Sequence, residues 1–151
     1  MCSFKIKSII IVISIFFTLT IDAKMIRDVS VVDNQVIFDT TSNLMWQDDN
    51  DATLNTKSWI DAITYCEGLS KKSYINWRLP NINELRTISD DNKYNPSISN
   101  VFQNIKSNRY WSSTTASSKK NYAWVVNFNT SSEDYISKST EIYVRCVRDV
   151  N

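Results

Sequence analysis

Asn76-Trp77-Arg78-Leu79-Pro80-Asn81-Ile82-Asn83-Glu84-Leu85 is the stretch on which the fold turns. Pro80 disfavours the helical region at Leu79, so Trp77 to Pro80 is expected to run extended. Asn81 is then placed to cap a new helix, with Glu84 three residues on reaching back to complete a capping box. An extended segment locked to a capped helix makes a rigid corner. Trp77 is expected in the core, and Arg78 in the grip of carboxylate or carbonyl partners. Trp77, Arg78, Pro80, Asn81 and Glu84 therefore read as a structural motif, with a part for Trp77, Arg78 and Glu84 in a ligand pocket as the weaker alternative.

Outward from the corner, the chain first shows two helices. Before it, Thr56 is a good cap for a helix running to about Leu69. Its apolar residues Trp59, Ala62, Ile63 and Cys66 fall at i, i+3, i+4 and i+7, which is one helical face. After it, Ile82, Leu85, Arg86 and Ile88 carry a second, shorter helix. Further upstream, Gln35–Asp39 and Leu44–Gln47 have strand composition. They flank a turn in which Asn43 can take the left-handed conformation in place of glycine.

Downstream, residues 90–108 form a long polar loop containing Pro96, with Val101 and Phe102 able to pin it. The period then changes to two. Tyr110–Thr114 reads as a strand. In Tyr122–Phe128 the residues Trp124, Val126 and Phe128 share one face, and Ala123, Val125 and Asn127 the other. Glu141–Arg148 closes the chain with Ile142, Val144 and Cys146 inward. The expected fold class is α+β: an N-terminal hairpin, two helices, a long loop and a three-stranded antiparallel meander.

With 151 residues there is room for one domain and a targeting segment. Lys5 and Lys7, the apolar run Ile9–Ile21 and the small Ala23 give the pattern of a signal peptide over residues 1–23. An uncleaved anchor is the alternative, since the 18 residues from Phe4 to Ile21 reach the lower limit for spanning a bilayer. Residues 24–34 read as a lead-in and 35–149 as the domain. An exported product is expected in the periplasm, on the cell surface or secreted, free of the membrane once the signal is cleaved.

Cleavage takes Cys2 away and leaves Cys66 and Cys146. In an exported chain these most simply form one disulfide, with two buried free thiols as the other reading. A loop of about 80 residues would stabilise the fold by roughly 4 kcal/mol in the chain-entropy model. Cleavage also removes Lys5 and Lys7 from 17 basic residues and Asp22 from 16 acidic ones, leaving 15 of each. A chain so balanced lacks the basic surface of a nucleic-acid binder. The absence of histidine excludes histidine triads, histidine general bases and histidine zinc sites.

Six segments, taken in order, resemble the Lcl C-terminal domain family: Asp39–Gln47, Trp59–Leu69, Asn76–Leu85, Tyr110–Thr114, Ala123–Phe128 and Tyr143–Arg148. The resemblance implies a C-type-lectin-like fold, in which a disulfide joins the first helix to the last strand. Cys66 and Cys146 lie at those places. The R-L-P corner is similar to that of the formylglycine-generating enzymes, which share that fold. Ser42 and Asn43 stand where the family often has glycine. The calcium-binding signatures of calcium-dependent lectins are absent, so no metal and no cofactor is expected.

For ligands, Tyr110, Trp111, Ser112 and Ser113 combine an aromatic face with hydroxyls, a pairing suited to sugars, although core packing competes for them. Lys119 and Lys120, like Lys71 and Lys72, could contact sulfated or carboxylated glycans by charge. Asp48, Asp49, Asn50 and Asp51 have calcium-type oxygens, but without the EF-hand spacing they read as a solvated acidic loop. No catalytic constellation stands out. The function expected is a non-catalytic recognition module of the bacterial envelope, binding a glycan or an envelope or host-surface protein. Adhesion to sulfated polysaccharide is what the resemblance implies. A structural or assembly component without a small ligand is the alternative, and no oligomeric state follows from the sequence.

Overall fold

The structure, a computed structural model, describes residues 26–27, 35–71 and 73–150. The expected signal peptide, Lys72 and all of the lead-in except Ile26–Arg27 lie outside them. Those two residues form a short strand, β1, paired with β2 (Val36–Asp39). β2 turns back into β3 (Leu44–Gln47), as the sequence leads one to expect. The Asp39 carboxylate closes the turn by accepting from the Thr41 N–H at 2.9 Å and the Ser42 hydroxyl at 2.6 Å. Asn43 has φ 56°, the left-handed conformation expected of it.

After a one-turn helix, α1 (Asp51–Leu54), comes β4 (Thr56–Lys57), then α2 (Trp59–Glu67). The helix thus starts later than Thr56. Thr56 and Lys57 are drawn into a sheet by pairing with Tyr143 and Ile142, and Ser58 takes the cap. Ala62 and Cys66 are buried on the expected face, and Cys66 is disulfide-bonded to Cys146 across a Cα–Cα distance of 5.4 Å.

The corner forms as read. Trp77 is buried, and Arg78 pairs in extended conformation with Val147 through N–H···O bonds of 2.8 and 2.9 Å. Asn81 and Glu84 make the full capping box of α3 (Ile82–Thr87).

β5 (Arg109–Thr115), β6 (Tyr122–Asn127) and β7 (Ser132–Ser137) make an antiparallel meander. Its third strand is Ser132–Ser137, and not the C-terminal segment that the alternation in Glu141–Arg148 suggests. That segment splits into β8 (Ile142–Tyr143), which joins β4 and β5, and β9 (Val147–Asp149), which joins β3. The break falls at Val144–Cys146, where the buried Arg145 side chain and a side-chain clasp from Gln47 replace a ladder: Cys146 N–H donates to Gln47 Oε1 at 3.2 Å. The strand orders are β1-β2-β3-β9 and β4-β8-β5-β6-β7, so the chain's end ties the two sheets together.

The core has two parts, and β6 contributes to both. Ala123 and Val125 join Trp77, Trp111 and the disulfide, whereas Val126 and Phe128 join Trp46, Leu85, Phe102 and Tyr110. Residues 90–108 are largely irregular, and Phe102 and the half-buried Val101 anchor them as expected. Among the described residues no helix is long and apolar enough to cross a membrane.

Candidate ligand-binding face

The aromatic residues that the sequence offers for a ligand are mostly spent on the interior. Tyr110, Trp111 and Ser112 are fully buried. The Tyr110 hydroxyl donates to Ala52 O at 3.1 Å and accepts from Lys106 N–H at 2.9 Å, while its ring meets Phe128 edge-on and stacks on Tyr143. Burial pushes its phenol pKa up. Trp111 Nε1 donates to Lys57 O at 2.9 Å, and Ser112 Oγ to Trp124 O at 2.8 Å. Ser113 is half-buried, and its N–H donates to Pro80 O. A ligand could not reach the Trp111 face without opening the core.

The corner is likewise structural. Arg78 makes a two-pronged pair with Glu84, both contacts at 2.8 Å, and turns its remaining donors to Asp149 at 3.1 and 3.2 Å. The bond to Glu84 chiefly raises the guanidinium pKa, and the Arg78 bond holds the Asp149 carboxyl below its usual value.

The acidic stretch is a correction. Asp48 and Asp49 are buried instead of forming a solvated loop. Asp48 pairs with the fully buried Arg145. Asp49 accepts from Gln47 Nε2 at 2.8 Å and forms an ion pair with Lys71, whose ammonium also faces Asp51 at 3.7 Å. Lys71 thereby supplies the positive charge that answers these carboxylates. Gln47 Nε2 also donates to the Tyr65 hydroxyl, whose pKa burial pushes up to about 12. Among the described residues no cluster of metal-ligating side chains forms.

A different aromatic group is open to solvent. In the β6–β7 register Trp124 lies opposite Tyr135 and Tyr122 opposite Ser137. Strand alternation places Tyr122 and Trp124 on the face that carries Val126, and Tyr135 on the same face of β7. At the Val126 end this face is covered by α3, which is held by an Arg86–Glu133 ion pair at 2.5 Å. Tyr122, Trp124 and Tyr135 stay half-exposed. The Tyr135 ring meets Trp124 edge-on at 5.4 Å and Tyr122 at 6.0 Å.

The turn before β6 places the charge. Bonds from Lys119 N to Ala116 O (3.1 Å) and from Tyr122 N to Lys119 O (2.8 Å) fold the chain back on itself. Lys119 Nζ then lies 5.2 Å from the centre of the Tyr122 ring and 5.1 Å from that of Tyr135. Among the described residues Lys119 and Lys120 have no ion pair, and both are exposed. Lys138, by contrast, sits over Trp59 with its ammonium tied to Thr115 Oγ1 at 2.8 Å. The aromatic partners of Lys119 are thus Tyr122 and Tyr135. The cue in the sequence is two aromatic residues at i and i+2 on a strand entered from a lysine pair.

A disulfide-stapled α+β domain with an open aromatic and lysine face is the class these features define. The model of the Lcl C-terminal domain family matches residues 35–148, and the chain belongs to that family. Membership suggests a domain of a bacterial surface protein. No curated protein matches the chain.

Proposed function

We propose that this protein is an exported, non-catalytic recognition module of C-type-lectin-like architecture that binds anionic glycans through the Lys119–Tyr122–Trp124–Tyr135 face. The observation that carries the reading is Lys119 held over two half-exposed rings beside a third. Such rings offer a flat apolar surface to the C–H face of a sugar, while a poised ammonium and the neighbouring Lys120 attract sulfate or carboxylate. Export is supported by the N-terminal charge and apolar pattern together with the disulfide. With Cys66 and Cys146 bonded to each other, neither offers a thiol for chemistry like that of the formylglycine-generating enzymes.

The test is a glycan array probed with the full chain at low and moderate salt. Binding of sulfated or carboxylated glycans, weakened by salt and lost in Lys119→Ala and Trp124→Ala, is the expected result. No glycan retained at either salt level would instead favour a structural or assembly role in the envelope.

A further inference from the structure

The aromatic strip ends at a second cation. In the β6–β7 register Tyr122 and Ser137 lie opposite each other at the Lys119 end of the strip, and Val126 and Glu133 at the other end. The strand rise puts those two ends roughly 14 Å apart. Glu133 shares the Tyr135 face of β7 by alternation. Arg86, in the last turn of α3, reaches it and pairs with its carboxylate at 2.5 Å.

Three features make this pair replaceable. The Arg86 side chain is 58% exposed and that of Glu133 28%, and an ion pair so open to water contributes little to stability. The helix does not depend on it, because Leu85 and the Ile88 that follows α3 are both fully buried in the core. Lastly, Arg78 grips Glu84 through two N–H groups, whereas Arg86 meets Glu133 most closely through Nε and makes no such two-pronged contact among the described residues. The two parallel N–H bonds with which a guanidinium takes an oxyanion are thus still to be made. Asp134 alternates to the opposite face of β7, where its carboxylate accepts from the Tyr135 N–H at 2.7 Å. Glu133 is therefore the one acidic residue that β7 presents on the aromatic face, and it stands where an incoming acidic group would bind.

We infer that Arg86 is a second anion contact of this face, screened by Glu133 until an acidic group of the ligand displaces that carboxylate. The inference rests on the lysine-face reading and narrows its ligand class. The ligand is an oligosaccharide with acidic groups on more than one ring, so spaced that one meets Lys119 while another takes Arg86 from Glu133 across the rings between. A single charged ring reaches only one end of the strip.

The test is calorimetry on the full chain with heparin fragments from tetrasaccharide to octasaccharide, with melting curves confirming that each variant folds. Arg86→Ala should weaken binding about tenfold and lessen its salt dependence. Glu133→Gln should strengthen binding several-fold, and that gain should vanish in the Arg86→Ala background, where no cation is left to unscreen. Asp134→Asn, on the opposite face, controls for a mere change in net charge. Unchanged binding in Arg86→Ala overturns the inference. So does a Glu133→Gln gain no larger than that of Asp134→Asn, or one that survives without Arg86. Any of these results, with binding still lost in Lys119→Ala, leaves the lysine face standing. Fragments that fail to bind the wild-type chain at low salt refute both.

Discussion

Replacing Arg145 with methionine should be the most damaging single change that leaves the disulfide intact. Arg145 and Asp48 are both fully buried. The guanidinium donates to Asp48 Oδ1 at 3.1 Å and to the carbonyls of Gln47 and Asn104, and it packs over the Phe102 ring at 4.8 Å. Asp48 in turn accepts from the N–H groups of Gln103 and Asn104, both at 3.0 Å, so the pair clamps the long loop to β3. Three bonds to a charged group, at roughly 1.5–3 kcal/mol each, overstate the loss, because the guanidinium no longer has to be dehydrated. Breaking one side of a buried pair nets about 3–5 kcal/mol. Methionine fills the space of the aliphatic stem, so the charge is what is tested. The assay is urea unfolding, where the midpoint should fall by about 2 M at an ordinary slope. Adding Asp48→Asn removes the stranded charge and should restore about 2 kcal/mol, a strongly non-additive result. Hydrogen exchange at Gln103 and Asn104 should quicken in the single variant. A cost below about 1 kcal/mol for Arg145→Met, or simple additivity in the double variant, would refute the clamp.

Further outcomes follow from the corner and the staple. Cys66→Ser should cost about 4 kcal/mol through the freed unfolded chain, measured by urea unfolding with reduced wild type as the control. Asn81→Ala removes the cap acceptor for Glu84 N–H and should cost about 1 kcal/mol, or roughly 4 °C in the melting temperature by calorimetry. Stability should also fall in acid through Asp149. Arg78 depresses its folded pKa, so the unfolded chain takes up the proton first. The contribution is complete above the unfolded value of 3.8 and is lost as pH falls through the lower folded value. Because Asp149 is largely exposed the effect is small, and Asp149→Asn should remove only that part of the acid slope in urea midpoints taken across pH. Identical slopes for the two proteins would contradict the assignment.

Local chemistry made the corner, the hairpin turn and the helix faces legible. A proline, a cap and its partner three residues on act within one turn, and Asn43 tolerates a left-handed backbone whatever surrounds it. Long-range pairing was not legible. Thr56 and Ser58 are both fair caps, and the choice between them is made by Tyr143 and Ile142, more than 80 positions away, which draw Thr56–Lys57 into a sheet. The strand Ser132–Ser137 escaped notice because, as an edge strand with a mostly solvated surface, it need not carry an apolar run. The burial of Asp48 was not legible for the same reason: with Val144 and Cys146 inward, alternation places Arg145 outward, and only the break between β8 and β9 lets it turn inward to Asp48.

The two tryptophans of the meander show why residue type alone misplaces an open aromatic face. Trp111 is flanked by hydroxyls and looks the better sugar platform, yet β5 lies in the middle of the order β4-β8-β5-β6-β7. Its side chain is enclosed in the part of the core that holds the disulfide, beneath a sheet flanked on both sides. Trp124 has one neighbour between itself and the sheet edge, where α3 covers Val126 and leaves the far end of the strand uncovered. An aromatic stripe on a strand can therefore be read as a binding face only after strand order is known. The lysine pair helps to break that dependence. An unpaired cation in a tight turn must face water, so aromatic residues that alternate in register with it are drawn toward the surface end of their strand. By that argument it is Lys119, and not any tryptophan, that marks the open face in the sequence.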